Sequence, residues 1–278
     1  MKVRHPIVGG SVIAVWVASA GLVAAQEPGS TVAGDSRVEG RTYTFEATGA
    51  EVPYAIFVPS TYDASREWPL IVGLHGLGRP YDWVMSYDGY VDMAERDGYI
   101  LVTPKGYHPR AWYGSRGPGV PRMRQDDDIS SLPDNLGELA EQDVMNVLAI
   151  VREQYNVDAD RIYLWGHSMG GAGTYHLAAK HPHVWAALGV AAPAPSVSPD
   201  QLREFRHIPI IALQGDEDRL VVPMRRWVAM METLGMEHVY VEIVGGDHSR
   251  FINSDADTLS KLFSFFNIVQ KNQRPETN

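Results

Sequence analysis

The sequence predicts an α/β fold in which helices cover both faces of a mainly parallel β-sheet. Short apolar runs alternate with segments of helical periodicity through most of the chain. Some runs, such as residues 68–74, are apolar throughout, which is typical of central strands buried on both faces. A Gly-x-Ser-x-Gly pentapeptide at residues 166–170 follows one predicted strand and precedes a predicted helix. Together these patterns indicate strands and helices that alternate along the chain.

In the first half of the chain, alternation and apolar runs define the strands. In residues 41–47 aromatic residues alternate with polar ones, and in 52–58 three apolar residues share one face, so each strand should bury one side. Residues 90–97 fit a short helix that a glycine closes. The continuous apolar runs 68–74 and 99–103 are expected to be buried central strands.

The second half of the chain continues the alternation of helices and strands. Apolar residues recur at helical spacing between residues 134 and 155, which predicts a long helix there. Residues 161–165 are expected to form the strand that leads to the glycine-flanked serine, and 172–179 the helix that follows. The remaining predicted strands are 185–190, 208–213 and 239–244, and the remaining predicted helices are 224–234 and 259–269.

Length and composition fit one large globular domain. The chain has 278 residues, of which 45% are hydrophobic and 21% are charged. We assign residues 41–270 to the folded domain, 26–40 to a flexible polar leader and 271–278 to a tail. The net charge of −10 would repel phosphate groups, which makes nucleic acid an unfavourable partner. With no cysteine, the chain has no disulfide, no thiolate metal site and no cysteine nucleophile.

The N-terminus has the pattern of a secretory signal peptide. Two basic residues precede an uncharged apolar run at 7–25, and small residues precede a cleavage point between Ala25 and Gln26. The alternative is a membrane anchor, because the run is nearly long enough to span a bilayer, but several glycines and serines dilute it. We therefore predict that residues 1–25 are removed and that the protein is secreted or periplasmic, with no stable membrane insertion after cleavage.

Ser168 lies at the centre of the glycine pattern and is the candidate nucleophile. A serine hydroxyl needs a base to take its proton, and the base needs a carboxylate to orient it. In this fold class both partners follow the serine, first the acid and then the histidine. His248, in the loop after strand 239–244, is the predicted base. Asp218 is the preferred acid, with Asp216 as the alternative, while Asp247 is too close to the histidine in sequence to orient it easily.

Two backbone N–H groups are candidates for stabilising the negatively charged oxygen of a tetrahedral intermediate. One belongs to Met169, at the start of the helix, and the other to Leu77, in the loop after strand 68–74. His75 begins that loop and is expected to brace it. His167 is expected to pack under the serine turn, because adjacent side chains point apart.

The segment 107–133 is too long for a plain connection and is a candidate part of the site. Its aromatic residues Tyr107, Trp112 and Tyr113 are candidates for a wall around the acyl or aryl group, with simple packing as the alternative. The acidic run 126–128 lacks the spacing of a calcium loop and is expected to be a solvated charge run.

These motifs resemble the α/β-hydrolase superfamily. The similarity is strongest to secreted serine esterases of the feruloyl-esterase and polyhydroxybutyrate-depolymerase type, and to the hydrolase domain of prolyl-oligopeptidase-like peptidases. The resemblance rests on residues 74–78, 160–171, 215–218 with 222–223, and 246–248.

The resemblance implies an α/β-hydrolase fold and cleavage of small-molecule or polymeric carboxylic esters through an acyl-enzyme, without a cofactor or metal. A serine peptidase with the same three residues is one alternative, and a non-catalytic binding protein of this fold is another. The sequence makes no prediction of the oligomeric state.

Overall fold

The computed structural model describes residues 30–32, 34–117, 132–196 and 198–271, and these residues form a nine-stranded sheet with helices on both faces. The strands are β1 (Ser30–Val32), β2 (Asp35–Phe45), β3 (Ala50–Phe57), β4 (Trp68–Leu74), β5 (Ile100–Pro104), β6 (Val157–His167), β7 (Ala187–Ala191), β8 (Ile210–Gly215) and β9 (His238–Ile243). The α-helices are α1 (Tyr90–Asp97), α2 (Leu136–Gln154), α3 (Met169–Lys180), α4 (Val221–Thr233), α5 (Arg250–Asn253) and α6 (Ala256–Ile268). Short 3-10 helices span Trp83–Ser86, Trp112–Gly114 and Pro199–Phe205.

The sheet is antiparallel at one end and parallel through the rest. Its strand order is β1-β2-β3-β5-β4-β6-β7-β8-β9, and all neighbouring pairs from β5 to β9 are parallel. The α/β class predicted from the sequence is therefore confirmed. Because parallel strands end at the same edge, the loops after β4, β6, β7, β8 and β9 meet there.

The hydrophobic core lies in two layers, one on each face of the sheet. Helices α2, α3 and α4 pack on one face, around the buried rings of Trp185 and Tyr175. Helices α1, α5 and α6 pack on the other face, around Trp165 and Phe263. In the part of the chain that the structure describes, no helix combines the length and the apolar character needed to cross a membrane.

The predicted strands and helices all occur, with shifted ends. Strand β2 begins at Asp35 rather than at residue 41, so residues 35–40, which we predicted as leader, belong to the sheet. The reason is pairing, since Glu39 lies opposite Ile56 in an antiparallel hairpin with β3. The alternation of apolar and polar residues is too weak before residue 41 to predict this extension. The predicted signal peptide lies outside the described residues, as do 118–131 of the long segment and nearly all of the predicted tail.

Helices α2 and α3 are joined by a carboxylate held between two histidines. Glu141 accepts a hydrogen bond from His176 Nε2 at 2.8 Å and one from His181 Nε2 at 3.2 Å. These two hydrogen bonds hold the pKa of Glu141 well below its ordinary value, at about 2. The bridge fixes α3, the helix that follows the candidate nucleophile, against α2.

Replacement of Glu141 by glutamine should therefore destabilise the protein in a pH-dependent way. The depressed pKa means that the ionised carboxylate stabilises the fold above about pH 4.5, and that this stability is lost as the pH falls toward about 2. We expect Glu141→Gln to lower the free energy of unfolding by about 1–3 kcal/mol at pH 7. This loss of unfolding free energy, measured by urea titration, should become smaller as the pH falls below about 4.5. Glu138→Gln, at an exposed position of the same helix, is the control. An equal loss at pH 7 and at about pH 3 would contradict the assignment.

Candidate active site

Ser168 lies at a strained turn between strand β6 and helix α3. Its backbone has φ 60° and ψ −112°, a conformation that residues other than glycine rarely adopt. The turn is fixed by the end of β7, because the Ser168 N–H donates to the carbonyl oxygen of Ala191 at 2.9 Å. The Ser168 carbonyl oxygen in turn accepts from the N–H of Ala194 at 2.9 Å. The hydroxyl is thus held at the edge where the parallel strands end.

Close backbone approach explains the two glycines of the pattern. A Cβ on Gly166 would lie 2.3 Å from the backbone of Gly170. A Cβ on Gly170 would lie 2.1 Å from the carbonyl oxygen of Leu74, at the end of the neighbouring strand. Any side chain at either position would force the turn apart.

The structure brings Ser168, His248 and Asp218 into one hydrogen-bonded chain. His248 Nε2 lies 3.0 Å from Ser168 Oγ, and His248 Nδ1 lies 2.8 Å from Asp218 Oδ2. The Asp218 side chain is 2% exposed, whereas that of His248 is 39% exposed. The imidazole is therefore open to solvent on one side while its carboxylate partner is enclosed.

Two further donors hold the Asp218 carboxylate. The Leu220 N–H donates to Oδ1 at 3.1 Å, and Gln214 Nε2 donates to Oδ2 at 3.0 Å. Gln214 is fully buried and was not among the predicted site residues. The one signal for it in the sequence is a polar residue at the end of an otherwise apolar strand.

The other two aspartates near this loop have structural partners. Asp216 Oδ1 accepts from the N–H of Gly245 at 2.7 Å and so ties the β8 loop to the β9 loop. Asp247 Oδ1 accepts from the N–H groups of Ser249 and Arg250, at 2.9 and 2.7 Å, at the start of α5. Asp218 is thus the aspartate whose side chain meets the imidazole.

The two predicted oxyanion donors lie on either side of the serine turn. Met169 is the first residue of α3, where backbone N–H groups are free of intrahelical partners. Leu77, in the loop after β4, is half exposed. Gly78 shapes that loop, because it has φ 69° and donates its N–H to the carbonyl oxygen of Pro109 at 2.8 Å.

His75 holds the loop that carries Leu77 through contacts with the backbone. Its ring nitrogens lie 2.8 Å from the carbonyl oxygen of Gly76 and 2.9 Å from that of Lys105. Its backbone N–H donates to the hydroxyl of Tyr113 at 3.0 Å. Burial lowers the pKa of His75, and a neutral ring can donate to only one of these two carbonyl oxygens at a time. Both nitrogens face the backbone, which supports a structural position rather than that of a general base.

Two of the three aromatic residues predicted to line the site, Trp112 and Tyr113, are buried in the structure. Tyr113 is 1% exposed, and its ring fills the space over Gly106 and Gly173, where an added Cβ would lie 2.5 and 2.7 Å from ring atoms. Trp112 is also buried, with the guanidinium of Arg116 3.3 Å above its ring. Both rings pack inside the domain, which is the packing alternative that the sequence left open.

Tyr107 is partly exposed and remains a candidate. Its ring packs edge-on against Phe45, with 5.1 Å between ring centroids. Its backbone, at φ 58°, is held by Asp143, whose Oδ2 accepts the Tyr107 N–H at 2.8 Å. Asp143 is buried, and burial raises its pKa. No pattern in the sequence predicts that this helical carboxylate holds the loop after β5.

Among the described residues, no group of three or more histidine, aspartate or glutamate side chains is arranged to hold a metal ion.

Comparison with known proteins identifies the family. Residues 46–254 match the model of the Esterase family, which is three quarters of the chain. A bifunctional acetylxylan esterase/xylanase from Neocallimastix patriciarum is 27% identical over 173 residues, covering 61% of this chain and 22% of the relative. Feruloyl esterase B of Neurospora crassa is 30% identical over 156 residues, covering 50% of this chain and 48% of the relative. The chain thus spans less than half the length of these curated relatives.

A solved structure has the same fold. A ferulic acid esterase from Anaeromyces mucronatus, in complex with ferulic acid, superimposes with a TM-score of 0.65 at 19% identity. The superposition covers 84% of this chain and 90% of the esterase. The chain therefore belongs to the Esterase family, and it has the α/β-hydrolase fold that the ferulic acid esterase also has.

Proposed function

We propose that this protein hydrolyses carboxylic esters through an acyl-enzyme intermediate on Ser168. The observation that carries the proposal is the unbroken hydrogen-bonded chain from the Ser168 hydroxyl through His248 to Asp218, with distances of 3.0 and 2.8 Å. A serine, a histidine and a buried carboxylate in this arrangement are the parts that acyl transfer requires. The position of Ser168 at a strand-to-helix turn adds support, because it lifts the hydroxyl clear of the sheet.

In the first half of the reaction, Ser168 Oγ attacks the ester carbonyl carbon while His248 Nε2 accepts its proton. His248 Nδ1–H donates to Asp218, which keeps the ring in the required tautomer and stabilises the imidazolium. The imidazolium then donates the proton to the leaving alcohol as the ester C–O bond breaks. In the second half, water attacks the acyl-enzyme, His248 again accepts and returns a proton, and the carboxylic acid leaves.

The negative charge of the tetrahedral intermediate needs donors that are in place before the reaction. We assign this role to the backbone N–H groups of Met169 and Leu77. The first is supported by its position at the start of α3, where the helix dipole also favours negative charge. The second is supported by the bracing of its loop through His75 and Gly78.

For the substrate, we propose a small or polymeric ester whose acyl group is acetyl or an aromatic acid such as ferulic acid. The support is the pair of similar proteins named for acetylxylan and feruloyl esters. Tyr107 is the proposed aromatic contact, because it is partly exposed and follows β5, which ends at the same edge of the sheet as β6. The net charge of −10 disfavours polyanionic partners such as nucleic acid.

We also propose that the protein is exported and loses residues 1–25. The support is the basic, then apolar, then small-residue pattern of that segment. N-terminal sequencing of the protein recovered outside the cytoplasm should find Gln26 first. Recovery of the intact N-terminus at a membrane would favour the anchor instead.

The central test is hydrolysis of p-nitrophenyl acetate and methyl ferulate by the wild type and by Ser168→Ala. We expect the variant to lose at least about 10³-fold in kcat, because the nucleophile is gone, with an unchanged melting temperature. The alanine side chain is small and the turn glycines are unchanged, so the variant should fold.

The other outcomes of this test separate the alternatives. Equal background rates from both proteins with esters, together with Ser168-dependent cleavage of acyl-peptide amides, would indicate a peptidase. Background rates with every substrate would leave a binding protein of this fold.

Asp218 and Asp216 provide a matched pair of variants, since they lie two residues apart in one loop. Asp218→Asn should lower kcat by about 10³- to 10⁴-fold, because an amide in place of the carboxylate stabilises the wrong tautomer of His248. Asp216→Asn removes an acceptor for the Gly245 N–H and should stay within about 5-fold of the wild type. Larger loss from Asp216→Asn than from Asp218→Asn would reverse the assignment of the acid.

A further inference from the structure

His167, the residue before the candidate nucleophile, connects the serine turn to the loop of the candidate base. Adjacent side chains point apart, so the His167 ring lies on the opposite side of the turn from the Ser168 hydroxyl. There it is fully buried, and its Nε2 lies 2.7 Å from the backbone carbonyl oxygen of His248. One turn therefore contacts His248 twice, once through Ser168 at the ring and once through His167 at the backbone.

The chemistry of the contacts fixes the tautomer of His167. A carbonyl oxygen can only accept, so Nε2 must donate its proton to His248. Burial lowers the pKa of His167 to about 3, helped by the nearby His248, so the ring is neutral and Nδ1 carries a lone pair. The hydroxyl of Tyr87 lies 2.6 Å from Nδ1 and must be the donor there. Burial raises the pKa of Tyr87 well above its ordinary value, which keeps that donor protonated.

Aromatic packing fixes the orientation of the His167 ring. The indole of Trp83 stacks on it with an interplanar angle of 17° and 5.3 Å between centroids. Phe251 of α5 meets it edge-on at 6.2 Å. Trp83 also lies against the loop after β4 that carries Leu77, since a Cβ on Gly76 would be 3.1 Å from the indole. The ring thus has a fixed orientation relative to the loops on both sides.

We infer that His167, with its tautomer fixed by Tyr87, is a positioning residue that sets the distance between His248 and Ser168. The inference rests on the proposed function, because it assigns a role in that reaction. The contact distance between Ser168 Oγ and the imidazole depends on where the β9 loop lies, and His167 is bonded to that loop at His248 itself. A displacement of about 1 Å between reacting groups can cost about 10²-fold in rate.

The test compares His167→Leu with His167→Gln. Leucine cannot donate to the His248 carbonyl oxygen, whereas the glutamine amide can donate from about the position of Nε2. We expect His167→Leu to lower kcat about 10- to 100-fold with little change in KM, since neither side chain touches the substrate. His167→Gln should recover most of the loss. A glutamine variant no more active than the leucine variant, or a leucine variant within about 3-fold of the wild type, would overturn the inference.

Tyr87→Phe and Tyr90→Phe form a second, matched pair. Both phenols are buried and hydrogen-bonded at 2.6 Å: the Tyr87 hydroxyl donates to His167 Nδ1, and the Tyr90 hydroxyl accepts from Trp165 Nε1–H. Both changes should lower the melting temperature to a similar extent. We expect kcat to fall about 3- to 10-fold for Tyr87→Phe, and to stay within about 2-fold for Tyr90→Phe. Equal losses of kcat would show that the effect is one of general stability and would contradict the positioning role.

A measurement independent of ester hydrolysis separates this inference from the proposed function. In two-bond ¹H–¹⁵N correlation spectra of protein labelled with ¹⁵N-histidine, His167 is assigned by the signal that His167→Gln removes. We expect the Nε2–H tautomer in the wild type and a change of its Nδ1 shift in Tyr87→Phe. An Nδ1–H tautomer would overturn the inference, whether or not Ser168 proves to be the nucleophile.

Discussion

The geometry of the site depends on the close backbone approach between the serine turn and the neighbouring strand ends. Gly170 passes so near the carbonyl oxygen of Leu74 that no side chain fits between them. The same packing recurs at the other loops, where a Cβ on Gly215 would lie 2.2 Å from the carbonyl oxygen of Gly246. These contacts bring the ends of β4, β6, β8 and β9 together. Short side chains such as those of Ser168 and Asp218 can then reach His248 without long connecting loops.

The strained turn also places the side chains of its adjacent residues, Ser168 and His167, in different environments. Ser168 is partly exposed, and its hydroxyl meets the imidazole of His248. His167 faces the interior, where burial keeps its ring neutral and its hydrogen bonds fixed. Two histidines that lie 5.3 Å apart, centroid to centroid, are thereby placed in opposite environments. Burial lowers the pKa of His167 and keeps its ring neutral near neutral pH, whereas the side chain of His248 is 39% exposed.

Sequence patterns predicted the features that depend on local chain geometry. The alternation of strands and helices, the glycines around Ser168 and the succession of Asp218 and His248 all follow from local patterns and short motifs along the chain. The contacts of His167 with Tyr87 and His248 join residues about 80 positions apart, and no local pattern encodes them. The same holds for Gln214 and Asp143, whose partners are set by how helices and loops pack. The extension of β2 was missed because pairing, and not apolar alternation, defines it.

The burial of Tyr113 bears on how this domain could be redesigned. Its ring occupies the space that two glycines, Gly106 and Gly173, leave open, and its hydroxyl supports the backbone of His75. Mutagenesis libraries that randomise this aromatic to alter specificity would mostly sample unfolded or misassembled proteins. Diversity introduced at partly exposed Tyr107, whose backbone is held independently by Asp143, would leave the scaffold intact. Substitutions in this domain should therefore be tolerated better at Tyr107, whose loop is held by the Asp143 carboxylate, than at Tyr113, whose ring is tightly enclosed.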